Sequence, residues 1–147
     1  MKRVLSMMCL LFSFALAVSL AAQGTAPTAG MKIGSDADYA THMKEIGQLN
    51  GVLNKSIKAG DAAEGGKAAA RLEILFKNIH GYWTDKKIAD ATTAAETAVT
   101  SLQGVQKALA ANDMAAAETA RATFAGTCMN CHTAHREKLP EGGFKIK

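Results

Sequence analysis

Apolar side chains recur at steps of three and four residues through most of this chain, which is the spacing of one face of an α-helix. The first stripe follows Ser35, a suitable N-cap residue with an acidic residue three positions later. It continues to about Lys58, where the sequence KAGD interrupts it. Its members are Tyr39, Met43, Ile46, Asn50, Leu53 and Ile57. The pattern predicts a first helix with one inward face.

A second stripe predicts a helix that begins with the acidic residues Asp61 and Glu64. This helix is expected to end near Gly81, so that Tyr82 and Trp83 lie in the following turn. Its inward residues are Leu72, Leu75, Phe76 and Ile79.

Two further stripes predict a third and a fourth helix. Thr84 and Asp85 are suitable caps for the third, on a background rich in alanine and threonine. The fourth begins near Asp113 and stops before Pro140. The inward residues are Ile88, Ala95, Val99, Leu102 and Leu109 in the third helix, and Ala117, Phe124, Cys128 and Cys131 in the fourth.

Four helices joined by short connections predict an antiparallel up-down-up-down bundle. Neither proline falls inside a predicted helix, and no segment alternates β-branched with polar residues, so we expect an all-α fold. The domain spans residues 35–139 and is followed by a tail at 140–147. Its many alanines leave a thin core, which a large apolar cofactor between the helices would complete.

The first residues have the features of a secretory signal: Lys2 and Arg3 precede an apolar run that ends in small residues near Ala22. We therefore predict a signal peptide at 1–22 that is removed, a flexible lead-in at 23–34, and an exported, periplasmic protein. A retained membrane anchor is the alternative, but the apolar run is short for a span.

Processing changes both the charge and the cysteine count. Without Lys2 and Arg3, 15 basic residues remain against 13 acidic ones, and this near-neutral balance does not indicate nucleic-acid binding. Cys9 is also lost, which leaves Cys128 and Cys131. Two cysteines three residues apart do not form a disulfide scaffold, because the closed loop is too short.

The two remaining cysteines belong to the sequence CMNCH, which ends at His132. On a helix, Cys128, Cys131 and His132 share one face. A structural zinc site usually needs four protein ligands, and no second CxxC is present. A thioredoxin-like redox pair is expected at the start of a helix beside a strand, whereas this CxxC lies late in a predicted helix and no strand is predicted. The pattern therefore favours covalent attachment of haem c through both cysteines, with His132 as an axial iron ligand.

The stretches GTCMNCHTAHR and MKEIGQLNGVL, together with Trp83 ahead of the third helix, resemble the class II cytochromes c, the family of cytochrome c prime and its low-spin relatives. The resemblance covers nearly all of the chain after the signal. It implies a four-helix bundle that carries one haem c. Arg136 stands where the family commonly has an arginine, which implies a contact near the proximal face of the haem.

The chain departs from this family at two places. Ala40 or Thr41 falls where first helices often have an arginine, and His135 replaces a residue that is often aromatic. The first departure puts the family's usual contact to a haem propionate in doubt. Family members often dimerise through their first two helices, which implies a homodimer, whereas the polar outer face of the first predicted helix fits a monomer equally well.

Whether Met43 binds the haem iron decides between two possible functions. Periodicity does not distinguish an iron ligand from a gap-filling core methionine. The register of MKEIG resembles the position from which low-spin relatives donate a thioether, which implies His132/Met43 ligation and a one-electron carrier that serves redox partner proteins. If Met43 only covers the iron, the centre is five-coordinate and binds nitric oxide or carbon monoxide.

Other candidate residues have simpler interpretations. We expect His42 at the surface, His80 at a helix C-terminus, and His135 either near the haem edge or exposed. We expect Phe76, Trp83 and Phe124 to pack around the haem ring. No paired carboxylates, Ser/His/Asp set or phosphate-binding glycine loop is present, so we expect no enzyme activity.

Overall fold

The computed structural model describes residues 32–147, and within this range four helices pack into a bundle. Connections of two or three residues reverse the chain, and each helix packs chiefly on its neighbours in sequence. The predicted four-helix bundle is confirmed, whereas the predicted signal at 1–22 lies outside the described residues. The elements are α1 (Asp36–Ala59), α2 (Ala62–Asp85), α3 (Ala89–Ala110), α4 (Met114–His135), β1 (Arg136–Lys138) and β2 (Phe144–Ile146).

Side-chain caps explain where three of the helices begin. Ser35 accepts a hydrogen bond from the backbone N–H of Asp38 at the start of α1. Asp61 and Asp113 cap α2 and α4 in the same way, each by accepting from the N–H three residues later. These starts are confirmed because a cap is a local feature. At the end of α1, Gly60 adopts a φ of 72°, a left-handed conformation that glycine tolerates.

The boundary between α2 and α3 differs from the prediction. Tyr82 and Trp83 lie inside α2, not in a turn, and the helix continues to Asp85. Thr84 and Asp85 therefore do not cap α3, whose N-cap position is the partly exposed Ile88. The physical reason is packing: as helical residues, Tyr82 and Trp83 reach the core, where 7% and 2% of their surface stays exposed.

The core runs along the inward stripes, and part of the predicted lead-in joins it. Ile33 is buried, and Lys32 forms an ion pair with Asp85 at 2.8 Å, so the described end of the expected flexible lead-in, residues 32–34, packs on the bundle. α1 and α4 pack on each other less closely than the other neighbouring pairs do. The largest fully buried side chains are Leu53, Leu72, Leu75, Ile79, Leu102, Val105 and Phe124.

α4 ends at His135 and so stops before Pro140, as predicted. The expected tail at 140–147 is not free: it contains β2, which pairs with β1 in an antiparallel hairpin. Gly142 and Gly143 have φ values of 96° and 84°, which allow the chain to reverse between the two strands. The fold is thus a helical bundle with one short β-hairpin. No helix within residues 32–147 is both long and apolar enough to cross a membrane.

A polar cluster around Glu73 links α2 to α3. Gln103 and Gln106 of α3 donate hydrogen bonds to the Glu73 carboxylate at 2.9 and 2.6 Å. Lys77, one turn along α2, forms an ion pair with the same carboxylate at 2.8 Å. The Lys77 hydrogen bond, followed by those of the two glutamines, lowers the pKa of Glu73 to about 2, although partial burial opposes the shift.

We expect Glu73→Gln to cost about 1–3 kcal/mol of unfolding free energy near neutral pH. Because the folded-state pKa is depressed, the carboxylate stabilises the fold above its ordinary pKa, and this contribution is lost as pH falls toward about 2. The difference between wild type and variant, measured by urea unfolding, should therefore shrink between about pH 6 and about pH 3. Glu96→Gln, at an exposed position on α3, is the control. A difference that is independent of pH would contradict this interpretation.

Candidate functional site

A cavity of about 570 Å³ lies between α1 and α4, where these helices pack least closely. Its size is that of a site for a small organic molecule or a cofactor. The α1 wall consists of Asp36, Tyr39, Ala40, Met43, Lys44, Ile46, Gly47 and Asn50, and the α4 wall of Thr127, Cys128, Cys131, His132 and His135. Apolar residues of α2, α3 and β2 complete the lining, so the cavity surface as a whole is mainly apolar and suits a ligand with a large apolar surface: these residues are Phe76, Ile79, Ala91, Ala94, Ala95, Phe144 and Ile146.

The CMNCH sequence lies in the last two turns of α4, and its three chemically active residues all line the cavity. Cys128, Cys131 and His132 are each partly buried, and both thiols are free. The i, i+3 and i+4 spacing on a continuous helix brings the three side chains to one wall, as the sequence predicted. Two sulfur atoms and one imidazole are therefore available to a single bound group.

The electrostatics of the two thiols do not suit a disulfide shuttle. Burial, with a smaller contribution from Cys131, raises the pKa of Cys128 to about 11. Burial also raises the pKa of Cys131, and the Asp90 carboxylate adds to this effect. Redox-active cysteines need a lowered thiol pKa, because the thiolate is the reactive form. Both cysteines instead remain protonated thiols near neutral pH.

The surroundings of His132 favour the neutral form of its imidazole. Burial lowers its pKa, and the nearby positive charge of Arg136 lowers it further. A neutral imidazole has one nitrogen lone pair free to bind a metal, whereas the protonated form has none. The environment of His132 thus favours the protonation state that a metal ligand requires.

Met43 lies on the α1 wall of the same cavity, across from the α4 wall that carries His132. It is partly buried and packs against the core. The helical stripe of α1 places Met43 between Tyr39 and Ile46, which are both buried. The sequence therefore correctly predicted that Met43 would point inward, and the structure brings it to the cavity that contains the CMNCH residues.

Two of the remaining histidines differ from their predicted environments. His42 is 9% exposed, not at the surface: Nδ1 donates to the Asp38 carbonyl at 2.9 Å, and Asn78 donates to Nε2 at 3.4 Å. The contact with α2 explains its burial. His80 lies within α2, which continues to Asp85, so it does not cap a helix C-terminus, and it does not line the cavity.

His135 and Arg136 lie at the end of the cavity next to the hairpin. The His135 ring is 5.2 Å from the Trp83 ring, and its Nε2 donates to the Asp90 carboxylate at 2.8 Å, an interaction that lowers the pKa of Asp90. Arg136 is exposed, and its guanidinium carbon lies 3.9 Å from the centre of the Phe144 ring. Both residues can therefore contact a group bound in the cavity.

Of the three aromatic residues expected around a cofactor, Phe76 lines the cavity. Phe124 lies behind it, with ring centres 5.2 Å apart, and Trp83 lies behind Tyr39, to whose hydroxyl it donates a hydrogen bond at 3.1 Å. These contacts hold the aromatic wall in place. The sequence correctly indicated buried aromatic residues but did not distinguish the cavity wall from the layer behind it.

The C-terminal segment contributes a wall of the cavity that the sequence did not predict. Phe144, Lys145 and Ile146 of β2 also line the cavity. The only sequence signals were the alternation of apolar and polar residues in FKI and the glycine pair before it, which together suit a short hairpin.

The residues of the cavity fit haem c better than they fit a bare metal ion. Within residues 32–147, no three His, Cys, Asp or Glu side chains converge in a way that could hold a metal ion. Two thiols, an adjacent imidazole and a thioether on the facing wall instead match a flat apolar group that carries its own iron. Among the described residues, Asn50 Oδ1 is a buried oxygen with no hydrogen-bond partner, and Asn50 lines the cavity, so this oxygen is available to a donor from a bound group or a water molecule.

No protein family, curated protein or solved structure matches this chain. The likeness to the class II cytochromes c therefore rests on the motifs in the sequence.

Proposed function

We propose that this protein is an exported monohaem c-type cytochrome that carries one electron between partner proteins in the periplasm. Cys128 and Cys131 would hold the haem through thioether bonds, and His132 and Met43 would be the axial ligands. The observation that carries the proposal is that the two cysteines and the histidine of CMNCH line one wall of a mainly apolar cavity and Met43 lines the facing wall. Bound haem c would supply an iron centre that alternates between the ferrous and ferric states.

The residues of this chain would tune such a centre toward the reduced state. The Met43 sulfur is a soft ligand, which supports ferrous iron better than ferric iron. The apolar walls exclude water, which further disfavours the more highly charged state. The ligands belong to two helices of one packed bundle, so little rearrangement is needed when the charge changes. These properties suit an electron carrier more than an enzyme.

Arg136 would contribute a positive charge at the edge of the site. Within residues 32–147 it forms no ion pair, and it lines the cavity one helical turn beyond His132. A guanidinium in this position suits a carboxylate of the cofactor, since bidentate pairs of this kind are geometrically favoured. It also helps to keep His132 neutral.

A second function, the binding of nitric oxide or carbon monoxide, is favoured by one observation. Met43 shares the α1 wall of the cavity with the small residues Ala40 and Gly47. These small residues would leave room for a small gas if Met43 covers the iron without binding it. The two functions therefore differ in the sixth ligand.

Absorption spectra of the ferric and ferrous protein, with and without carbon monoxide, test the proposal. We expect a low-spin ferrous spectrum that carbon monoxide does not change in the wild type. Met43→Ala should give a spectrum that shifts at once with carbon monoxide, because the sixth position is open. Met114→Ala is the matched control, since Met114 is also partly buried against the core but does not line the cavity.

A wild-type protein that is high-spin and binds carbon monoxide directly, with the same spectrum in Met43→Ala, would replace the electron carrier with the gas-binding function. The absence of haem absorption from the exported wild-type protein would overturn both.

A further inference from the structure

The C-terminal hairpin is attached directly to the helix that carries CMNCH. β1 begins at Arg136, immediately after α4, and pairs in antiparallel register with β2, so that Arg136 lies opposite Ile146 and Lys138 opposite Phe144. The Lys147 backbone N–H also donates to the His135 carbonyl at 3.0 Å. The position of the hairpin is therefore fixed relative to His132.

The hairpin presents two apolar side chains to the cavity, together with the charged residues Arg136 and Lys145. Phe144 and Ile146 are two residues apart on β2 and thus share one face of the strand, and both line the cavity. Ile146 also packs against the core, whereas 53% of the Phe144 surface is exposed. The Arg136 guanidinium lies over the Phe144 ring and braces it at the cavity edge.

An isolated two-stranded hairpin is only marginally stable in water, so its stability depends on what it packs against. Here one apolar residue of β2 packs on the bundle, and the other faces a cavity with mainly apolar walls. A flat apolar ligand in the cavity would cover the exposed Phe144 ring and at the same time be shielded from water by it.

We propose that the hairpin is a built-in cover of the cofactor site, in which Phe144 and Ile146 contact the bound ring and limit the access of water and of external ligands to it. This inference rests on the proposed function, because it takes haem c as the occupant. It adds a role for residues outside the CMNCH motif and outside the α1 wall. The hairpin would thereby help to set the reduction potential, since solvent access to a metal centre controls it.

The test compares Phe144→Ala with Phe144→Leu in the haem-loaded protein. We expect Phe144→Ala to lower the reduction potential and to increase the affinity of the ferric protein for added imidazole by roughly tenfold, the lower end of what changes around a metal site produce. Phe144→Leu, which keeps an apolar cover, should restore most of both properties. Leu139→Ala is the matched control, because Leu139 lies in the same hairpin but does not line the cavity.

Each outcome is decisive. If haem is attached and Phe144→Ala leaves both the potential and the imidazole affinity unchanged, the cover is overturned while the proposed function stands. If Leu139→Ala has the same effect as Phe144→Ala, the effect comes from general disruption of the hairpin, and contact by Phe144 is again overturned. If the wild-type protein carries no haem, the proposed function itself fails, and the inference fails with it.

Discussion

Replacing both Cys128 and Cys131 with alanine is expected to abolish covalent haem attachment completely. Each thioether bond needs a cysteine sulfur, and after loss of the predicted signal no other cysteine remains in the chain. The bundle should still form, because neither cysteine belongs to the fully buried core and alanine is the best helix former. Intact mass and haem staining after denaturing electrophoresis, applied to the exported protein, measure the attachment directly.

The matched control is Met129→Ala, a change within the same motif. Met129 lies between the two cysteines and is 66% exposed, so we expect attachment to be unaffected. A wild-type mass equal to that of the processed polypeptide alone would contradict the haem interpretation. Measured zinc in that protein, or a disulfide between Cys128 and Cys131, would identify which alternative use of the motif is correct.

The parts of the fold that the sequence predicted are those that depend on local interactions. Ser35, Asp61 and Asp113 begin helices because each side chain bonds a backbone N–H three residues later. The inward stripe of α1 follows from helical geometry in the same way. A single stretch of sequence contains all the information that these features need.

The errors fall where distant residues decide the structure. Tyr82 and Trp83 stay helical because their rings pack against the ring of Tyr39, which is more than 40 positions earlier in the chain. His42 is buried because Asn78 of α2 lies beside it. Helical periodicity contains no information about either contact, and so it placed the first pair in a turn and the histidine at the surface.

In the candidate site, too, the features set by local sequence were predicted and those set by contacts between distant residues were not. The spacing of Cys128, Cys131 and His132 predicted their common wall, and the α1 stripe predicted the inward position of Met43. The cavity between these walls arises from the loose packing of α1 against α4 within the bundle, which no single stretch of sequence specifies. The hairpin wall was missed because two apolar residues near the end of a chain, separated by one lysine, do not form a pattern long enough to predict a partner.

A large loss of folding stability is expected when Phe124 is replaced, because this residue anchors the helix that carries CMNCH. Within α4 only Ala117 and Phe124 are buried, so most of the large apolar contact of this helix with the core comes from one ring. That ring is fully buried and meets Phe76 edge to face. Since Phe76 lines the cavity, Phe124 supports the cavity wall from behind.

Phe124→Ala should therefore reduce the free energy of unfolding by about 3–5 kcal/mol, because it removes a buried ring and leaves a void. Phe124→Leu should cost distinctly less, since it fills part of that space. Phe144→Ala removes the same atoms from an exposed ring and serves as the matched control, with an expected loss within about 0.5 kcal/mol in the absence of a bound group. Urea unfolding followed by circular dichroism measures all three. If Phe124→Ala were no more damaging than Phe144→Ala, Phe124 would not be the residue that anchors α4 to the core, and this interpretation of its buried ring would be wrong.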